Sequence, residues 1–213
     1  MLSCETSIPI IRTRIKRKAN ALKIGVLGLQ GAVSEHLEVL RKLPVEAVWV
    51  KEDKHLAAVD ALILPGGEST TISTLLEKNR LFEPLKERAS NGMPIFGTCA
   101  GLVLLAKDAG RQQQQTGQKL LELMDMRVNR NAFGRQKDSM EAPITIQGIA
   151  GKFPAVFIRA PVIEKVNGTC HIIARLDQHI VAAEQEPFLA TSFHPELSGD
   201  SRVHEYFIRK IKR

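Results

Sequence analysis

What this sequence lacks removes several classes of protein. Its three cysteines, Cys4, Cys99 and Cys170, stand far apart with no paired spacing, which argues against a disulfide framework or a zinc knuckle and fits a reducing, cytosolic compartment. Six histidines form no HExxH pattern and no cluster with cysteine, so neither a metal nor another cofactor is expected. No apolar run approaches the length of a bilayer span, and no membrane partner is expected. There is no internal repeat. The short "SIPII" lies before a basic run rather than after it, which is the wrong order for a signal peptide.

Charge is unevenly placed. Of the net +7, residues 1–22 carry +4, from Arg12, Arg14, Lys16, Arg17 and Lys18 against Glu5, leaving +3 for the rest. A lone basic run of this kind is a solvated, disordered extension far more often than a nucleic-acid patch. We therefore set residues 1–22 outside the fold and expect no nucleic-acid partner. The remaining 23–213, with 44% hydrophobic and 25% charged residues across the chain, are sized and composed for one soluble domain.

From Lys23 onward the pattern alternates. "KIGVLGLQGAVSEHLEVLRKL" reads as an apolar strand, a glycine turn, then leucines 37, 40 and 43 at helical spacing. "EAVWV" is a second strand and "VDALILPGGEST" a third that ends in glycines. "STTISTLLEKNRLFEPLKERASNG" predicts helix broken near Pro84 and stopped at Asn91-Gly92, and "MPIFGTCAGLVLLA" repeats strand into helix. Past residue 121, apolar and β-branched runs separated by turn residues predict strands, some antiparallel, closed by a helix from about Ser201. "RQQQQTGQ" between the halves predicts an exposed loop. The expected architecture is a three-layer α/β sandwich with a mainly parallel central sheet.

Ligands of such sheets sit beyond the carboxyl ends of the strands. "LPGGEST" and "FGTCAGL" both put glycines there. In G-x-C-x-G the sharp strand-to-helix turn strains its central residue, and the flanking glycines leave room for the turn and for a substrate. A helix starting at Ala100 would aim its amide dipoles at the Cys99 sulfur and favour the nucleophilic form. A small buried hydrophobe is the competing reading of Cys99. "SFHPE" weighs against it: His194 and Glu196 flank Pro195 and supply the base and orienting carboxylate that a thiol nucleophile needs.

Together "GTCAG", "HPE" and "LPGGES" resemble the class I, triad-type glutamine amidotransferases. The longer motifs "GVLGLQGAVSEH", "ILPGGESTT", "RNAFGRQ", "FIRAP" and "SFHPEL" are similar to those of glutaminase subunits of pyridoxal 5'-phosphate synthases, from about Lys23 to the end. The resemblance implies a flavodoxin-like fold and hydrolysis of L-glutamine to glutamate and ammonia by Cys99, His194 and Glu196. It implies an oxyanion hole from the backbone N–H groups of Gly67 and Ala100. It further implies a glutamine pocket from Gly67, Glu68, Ser69, Arg130, Ile158 and Arg159. For Glu68 and Arg159 a structural ion pair, and for Arg130 an exposed charge, are the competing readings. The implied partner is a (β/α)8-barrel synthase subunit in a multimeric complex, with "GLQGAVSEH" at the interface and Gln30 near the oxyanion loop. Three alternatives stay open: the glutaminase of another amidotransferase such as imidazole glycerol phosphate synthase, a stand-alone γ-glutamyl hydrolase-like enzyme, and a non-catalytic binding module of the same fold.

Overall fold

The structure, a computed structural model, describes residues 21–130 and 139–211. The basic run and all of "RNAFGRQ" except Arg130 lie outside the described residues. The first half alternates as expected: β1 (Lys23–Leu27), α1 (Val33–Arg41), β2 (Glu46–Val50), α2 (Asp53–Ala57), β3 (Ala61–Leu64), α3 (Ser69–Lys78), α4 (Phe82–Ser90), β4 (Ile95–Thr98) and α5 (Ala100–Leu105). The second half is mostly strand: β5 (Ala106–Asp108), α6 (Gly110–Thr116), β6 (Met124–Asn129), β7 (Ser139–Thr145), β8 (Lys152–Ile158), β9 (Val162–Val166), β10 (His171–Leu176), β11 (His179–Gln185) and β12 (Phe188–Thr191). A 3-10 turn, Pro195–Leu197, and α7 (Arg202–Ile211) close the fold.

Two expectations need correcting. The "QQQQ" stretch is helix α6 rather than loop. Asp108 accepts from the Gly110 N–H at 2.7 Å and Gln113 from the Ala109 N–H at 3.2 Å, so side chains satisfy amides that a helix start leaves open. Gly117, in the left-handed conformation, ends it. The break between α3 and α4 falls at Asn79–Leu81, where Arg80 has φ of 57°, and not at Pro84. Pro84 sits in the first turn of α4, where a missing N–H leaves no intrahelical bond unmade.

The main sheet runs β2-β1-β3-β4-β12-β11-β9-β6-β5, with β10 also paired to β11. The first five of these strands are parallel to one another, and β11, β9 and β6 bring in the antiparallel pairings. Strand β3, "ALIL", is buried at every position because both faces are covered. Leu62 and Leu64 point into a cluster with Leu76, Leu85 and Leu102, the layer of α3, α4 and α5. Ala61 and Ile63 point the other way, to Leu37, Leu40 and Phe207, where α1, α7 and the β7–β8 ribbon form the third layer. No helix among the described residues is long and apolar enough to cross a membrane.

One pairing positions the site. Strand β12, near the end of the chain, inserts parallel beside β4, with Thr191 opposite Thr98. On the other side of β4, Leu64 of β3 stands opposite Gly97. The three loops after β3, β4 and β12 therefore open at one sheet edge.

Candidate active site

Cys99 occupies the tip of the turn between β4 and α5. Its φ of 49° and ψ of −101° are strained for a side-chain-bearing residue, and its N–H is pinned to the Thr191 carbonyl at 2.8 Å. The flanking glycines serve the scaffold more than the substrate. A Cβ on Gly101 would lie 2.1 Å from the Leu64 carbonyl oxygen, and one on Gly97 would lie 2.6 Å from the Gly101 backbone. Glycine is thus required for α5 to leave β4 steeply and still pack on β3.

His194 follows β12 by three residues and its N–H is held by the Val156 carbonyl of β8 at 2.7 Å. Its Nδ1 lies 2.7 Å from Glu196 Oε1, and the carboxylate is wholly buried. Pro195 starts the 3-10 turn that brings Glu196 back beneath the ring. Burial disfavours the charged imidazole, yet hydrogen bonds with Cys99 and with Glu196 outweigh it and raise the His194 pKa to about 10. The ring therefore holds a proton near neutral pH. A strained cysteine, a histidine that can deliver a proton and a buried carboxylate aligned on that histidine together suit attack on an amide carbonyl and expulsion of an amine.

A cavity of about 380 Å³ opens over the cysteine. Cys99, Ala100, His194, Gly67, Glu68 and Ser69 all line it, as do Arg130, Ile158 and Arg159. Glu196 stands behind His194. Strand β8 supplies the far wall, and the Ile158 carbonyl lies 3.9 Å from the Cys99 sulfur.

Glu68 and Arg130 are tied to each other. The Glu68 carboxylate caps α3, accepting from the N–H groups of Thr70 at 3.2 Å and Thr71 at 2.6 Å, and it accepts from Arg130 Nη2 at 2.7 Å. Burial raises its pKa, but the Thr71 and Thr70 bonds and the Arg130 charge prevail and hold it down at about 2. Of the competing readings, the ion pair is present, with Arg130 as the partner. Ser69 and Arg130 both reach Gln118 Oε1, at 3.3 and 3.1 Å. Gln30 Oε1 accepts from the Glu68 N–H at 2.9 Å, while the Ala32 N–H holds the Gly66 carbonyl at 2.9 Å.

Sequence reasoning missed Gln118 and two buried histidines, His36 and His204, that pack behind the carboxylate. Their signal was available. Each occupies an apolar-stripe position, His36 beside Val33, Leu37 and Leu40 on α1, and His204 beside Val203, Phe207 and Ile208 on α7.

The sequence profile of the SNO glutamine amidotransferase family matches residues 26–213. The pyridoxal 5'-phosphate synthase subunit PdxT of Thermococcus onnurineus is 50% identical over 196 residues, spanning 89% of this chain and 98% of that one. PdxT of Dehalococcoides mccartyi is 52% identical over 193 residues, 90% and 98% of the two chains. A crystal structure of a glutamine amidotransferase superposes with a TM-score of 0.83 at 41% identity, covering 89% of this chain and 99% of its own.

Proposed function

The chain belongs to the SNO glutamine amidotransferase family, and from that premise we propose that Cys99, His194 and Glu196 hydrolyse L-glutamine to glutamate and ammonia for pyridoxal 5'-phosphate synthesis. The observation that carries this reading is the placement at one sheet edge of a strained cysteine and a histidine that line the same cavity, the histidine bonded to a buried carboxylate.

The Cys99 sulfur attacks the side-chain carboxamide carbon of glutamine, and the carbonyl electron pair moves to the oxygen. Backbone N–H groups of Gly67 and Ala100 are assigned to that oxyanion. Collapse of the tetrahedral species breaks the C–N bond as His194 gives its proton to the departing nitrogen, which leaves as ammonia. The same ring then takes a proton from water, hydroxide adds to the thioester, and the thiol departs with that proton as glutamate forms. Glu196 keeps the ring oriented throughout. Glu68, Ser69, Arg130, Ile158 and Arg159 form the glutamine pocket, where a guanidinium suits the α-carboxylate. Cys99 and Cys170 are free thiols, in keeping with a reducing, cytosolic setting.

The relatives are named as subunits of a pyridoxal 5'-phosphate synthase, and the ammonia is assigned to a synthase partner, with a (β/α)8 barrel as its expected fold. Segment 28–32 is the proposed contact. It grips the oxyanion loop through Gln30 and Ala32, so docking there would reset the Gly66–Gly67 peptide and make turnover depend on the partner.

The test is glutamate release from L-glutamine by the chain alone, with the synthase partner, and with Cys99→Ala in its place. We expect turnover that rises with the partner and disappears in Cys99→Ala. Full turnover without the partner would remove the gating, and turnover in Cys99→Ala would remove the nucleophile.

A further inference from the structure

Behind Glu196 lies a second layer of polar groups that the hydrolysis just described does not use. Glu196 Oε1 is committed to His194, while Oε2, fully buried, has no hydrogen bond of in-line geometry among the described residues. Nε2 of His36 lies 3.3 Å from it, with both side chains sealed from solvent. The same nitrogen lies 3.2 Å from the hydroxyl of Thr98, the residue before the nucleophile. On its other side, His36 Nδ1 lies 2.9 Å from Nε2 of His204. His204 Nδ1 is buried without a partner. Phe96 stands edge-on to both imidazoles, at 6.4 and 5.9 Å between ring centroids, which restricts their rotation.

These contacts favour one arrangement of protons. Only one hydrogen fits between His36 Nδ1 and His204 Nε2. If His36 carried it, the bare lone pair of His36 Nε2 would face a carboxylate oxygen at 3.3 Å, and that buried oxygen would have no donor at all. If His204 carries it, His36 turns an N–H to the Thr98 hydroxyl with Glu196 Oε2 beside it, off line at 3.3 Å, its Nδ1 accepts from His204, and the fourth nitrogen, His204 Nδ1, is a lone pair. That is the nitrogen without a partner. An orphaned acceptor is tolerated more readily than an orphaned donor.

We propose that His36 is a positioning residue for the catalytic carboxylate and that His204 acts as its tautomer lock, so that two neutral imidazoles hold Glu196 in the orientation that aims His194. The proposal rests on the triad reading above. Neutrality follows from the surroundings. Burial first, then the facing His204 and His194, lower the His36 pKa well below 6.5, and burial brings His204 down to about 4. A neutral ring whose tautomer is fixed offers a directed N–H without adding a second cation beside His194. Neither ring reaches the glutamine cavity. Their influence passes through Glu196.

The experiment compares His36→Leu and His204→Leu with His36→Gln and His204→Gln in the full chain assayed with its synthase partner, following kcat, KM for glutamine and Tm. Glutamine at either position can place an amide N–H near the lost Nε2. Both leucine variants should lower kcat by about 10- to 100-fold, the scale seen when a partner that orients a functional group is removed, with KM little changed, and both glutamine variants should recover most of it. A leucine variant with unaltered kcat, or a glutamine variant no better than leucine at equal Tm, overturns the proposal. A two-bond 1H–15N correlation spectrum of the wild-type chain decides independently of how well any variant folds: both rings should carry the proton on Nε2, and an Nδ1-protonated His36 refutes the assignment. Wild-type chain that releases no glutamate with the partner would instead bring down the triad reading itself.

Discussion

Replacing Glu196 by glutamine changes one charge and no volume, and the surroundings turn that small change into a conflict. The carboxamide must present its oxygen or its NH2 to His194 Nδ1, 2.7 Å away, and the other end to His36 Nε2, 3.3 Å away. Oxygen toward His194 preserves the working tautomer but sets NH2 against the His36 N–H. The opposite orientation relieves that clash and forces the proton of His194 onto the wrong nitrogen. Either way the charge that helps raise His194 to about 10 is gone. A hydrogen bond to a charged group is worth about 1.5–3 kcal/mol, and about 1.4 kcal/mol corresponds to one pKa unit. The alkaline limb of kcat/KM for glutamine hydrolysis should therefore move down by about one to two pH units. The plateau should fall by about 10² to 10⁴, the upper figure being the loss when a triad histidine takes the wrong tautomer. Glutamate release with the synthase partner from pH 6 to 10.5 measures both. An unmoved alkaline limb with kcat near wild type would refute an orienting role for Glu196.

Acid stability provides a second check. The pKa of His204 is near 4 in the fold against 6.5 for the free side chain, so the unfolded chain binds the proton more readily. Stability present above pH 6.5 is lost as pH falls toward 4, by about 3 kcal/mol at 1.36 kcal/mol per unit. Urea unfolding at pH 7 and pH 4 should show a smaller loss for His204→Gln than for wild type, and equal losses would contradict a neutral buried His204. Gly101→Ala places a methyl 2.1 Å from the Leu64 carbonyl oxygen, and overpacking of this kind costs about 1–3 kcal/mol. Its Tm should fall and its kcat with it, because α5 starts directly after Cys99; an unchanged Tm would show that α5 can shift freely.

Much of the candidate site was legible in the sequence because its signals are local. A glycine-bounded cysteine between a strand and a helix, and a histidine and glutamate around a proline, each declare a turn and a set of reactive groups within five residues. Alternation of apolar runs with helical spacing likewise declared the layers of the first half. The "QQQQ" helix was misread because its start depends on Asp108 and Gln113 folding back onto backbone amides, which composition does not reveal.

What the sequence determined by itself is the inventory of chemistry and the local geometry of each turn. Only the tertiary structure decided what faces what. Residues 99 and 194 meet because β12 inserts parallel to β4 with Thr191 opposite Thr98, a pairing set by burial of both strands' faces across a separation of 93 residues. His36 and His204 look like ordinary core positions on two separate helices. They become one proton arrangement behind Glu196 only when α1 and α7 share a sheet face, because tautomers are fixed by neighbours in space.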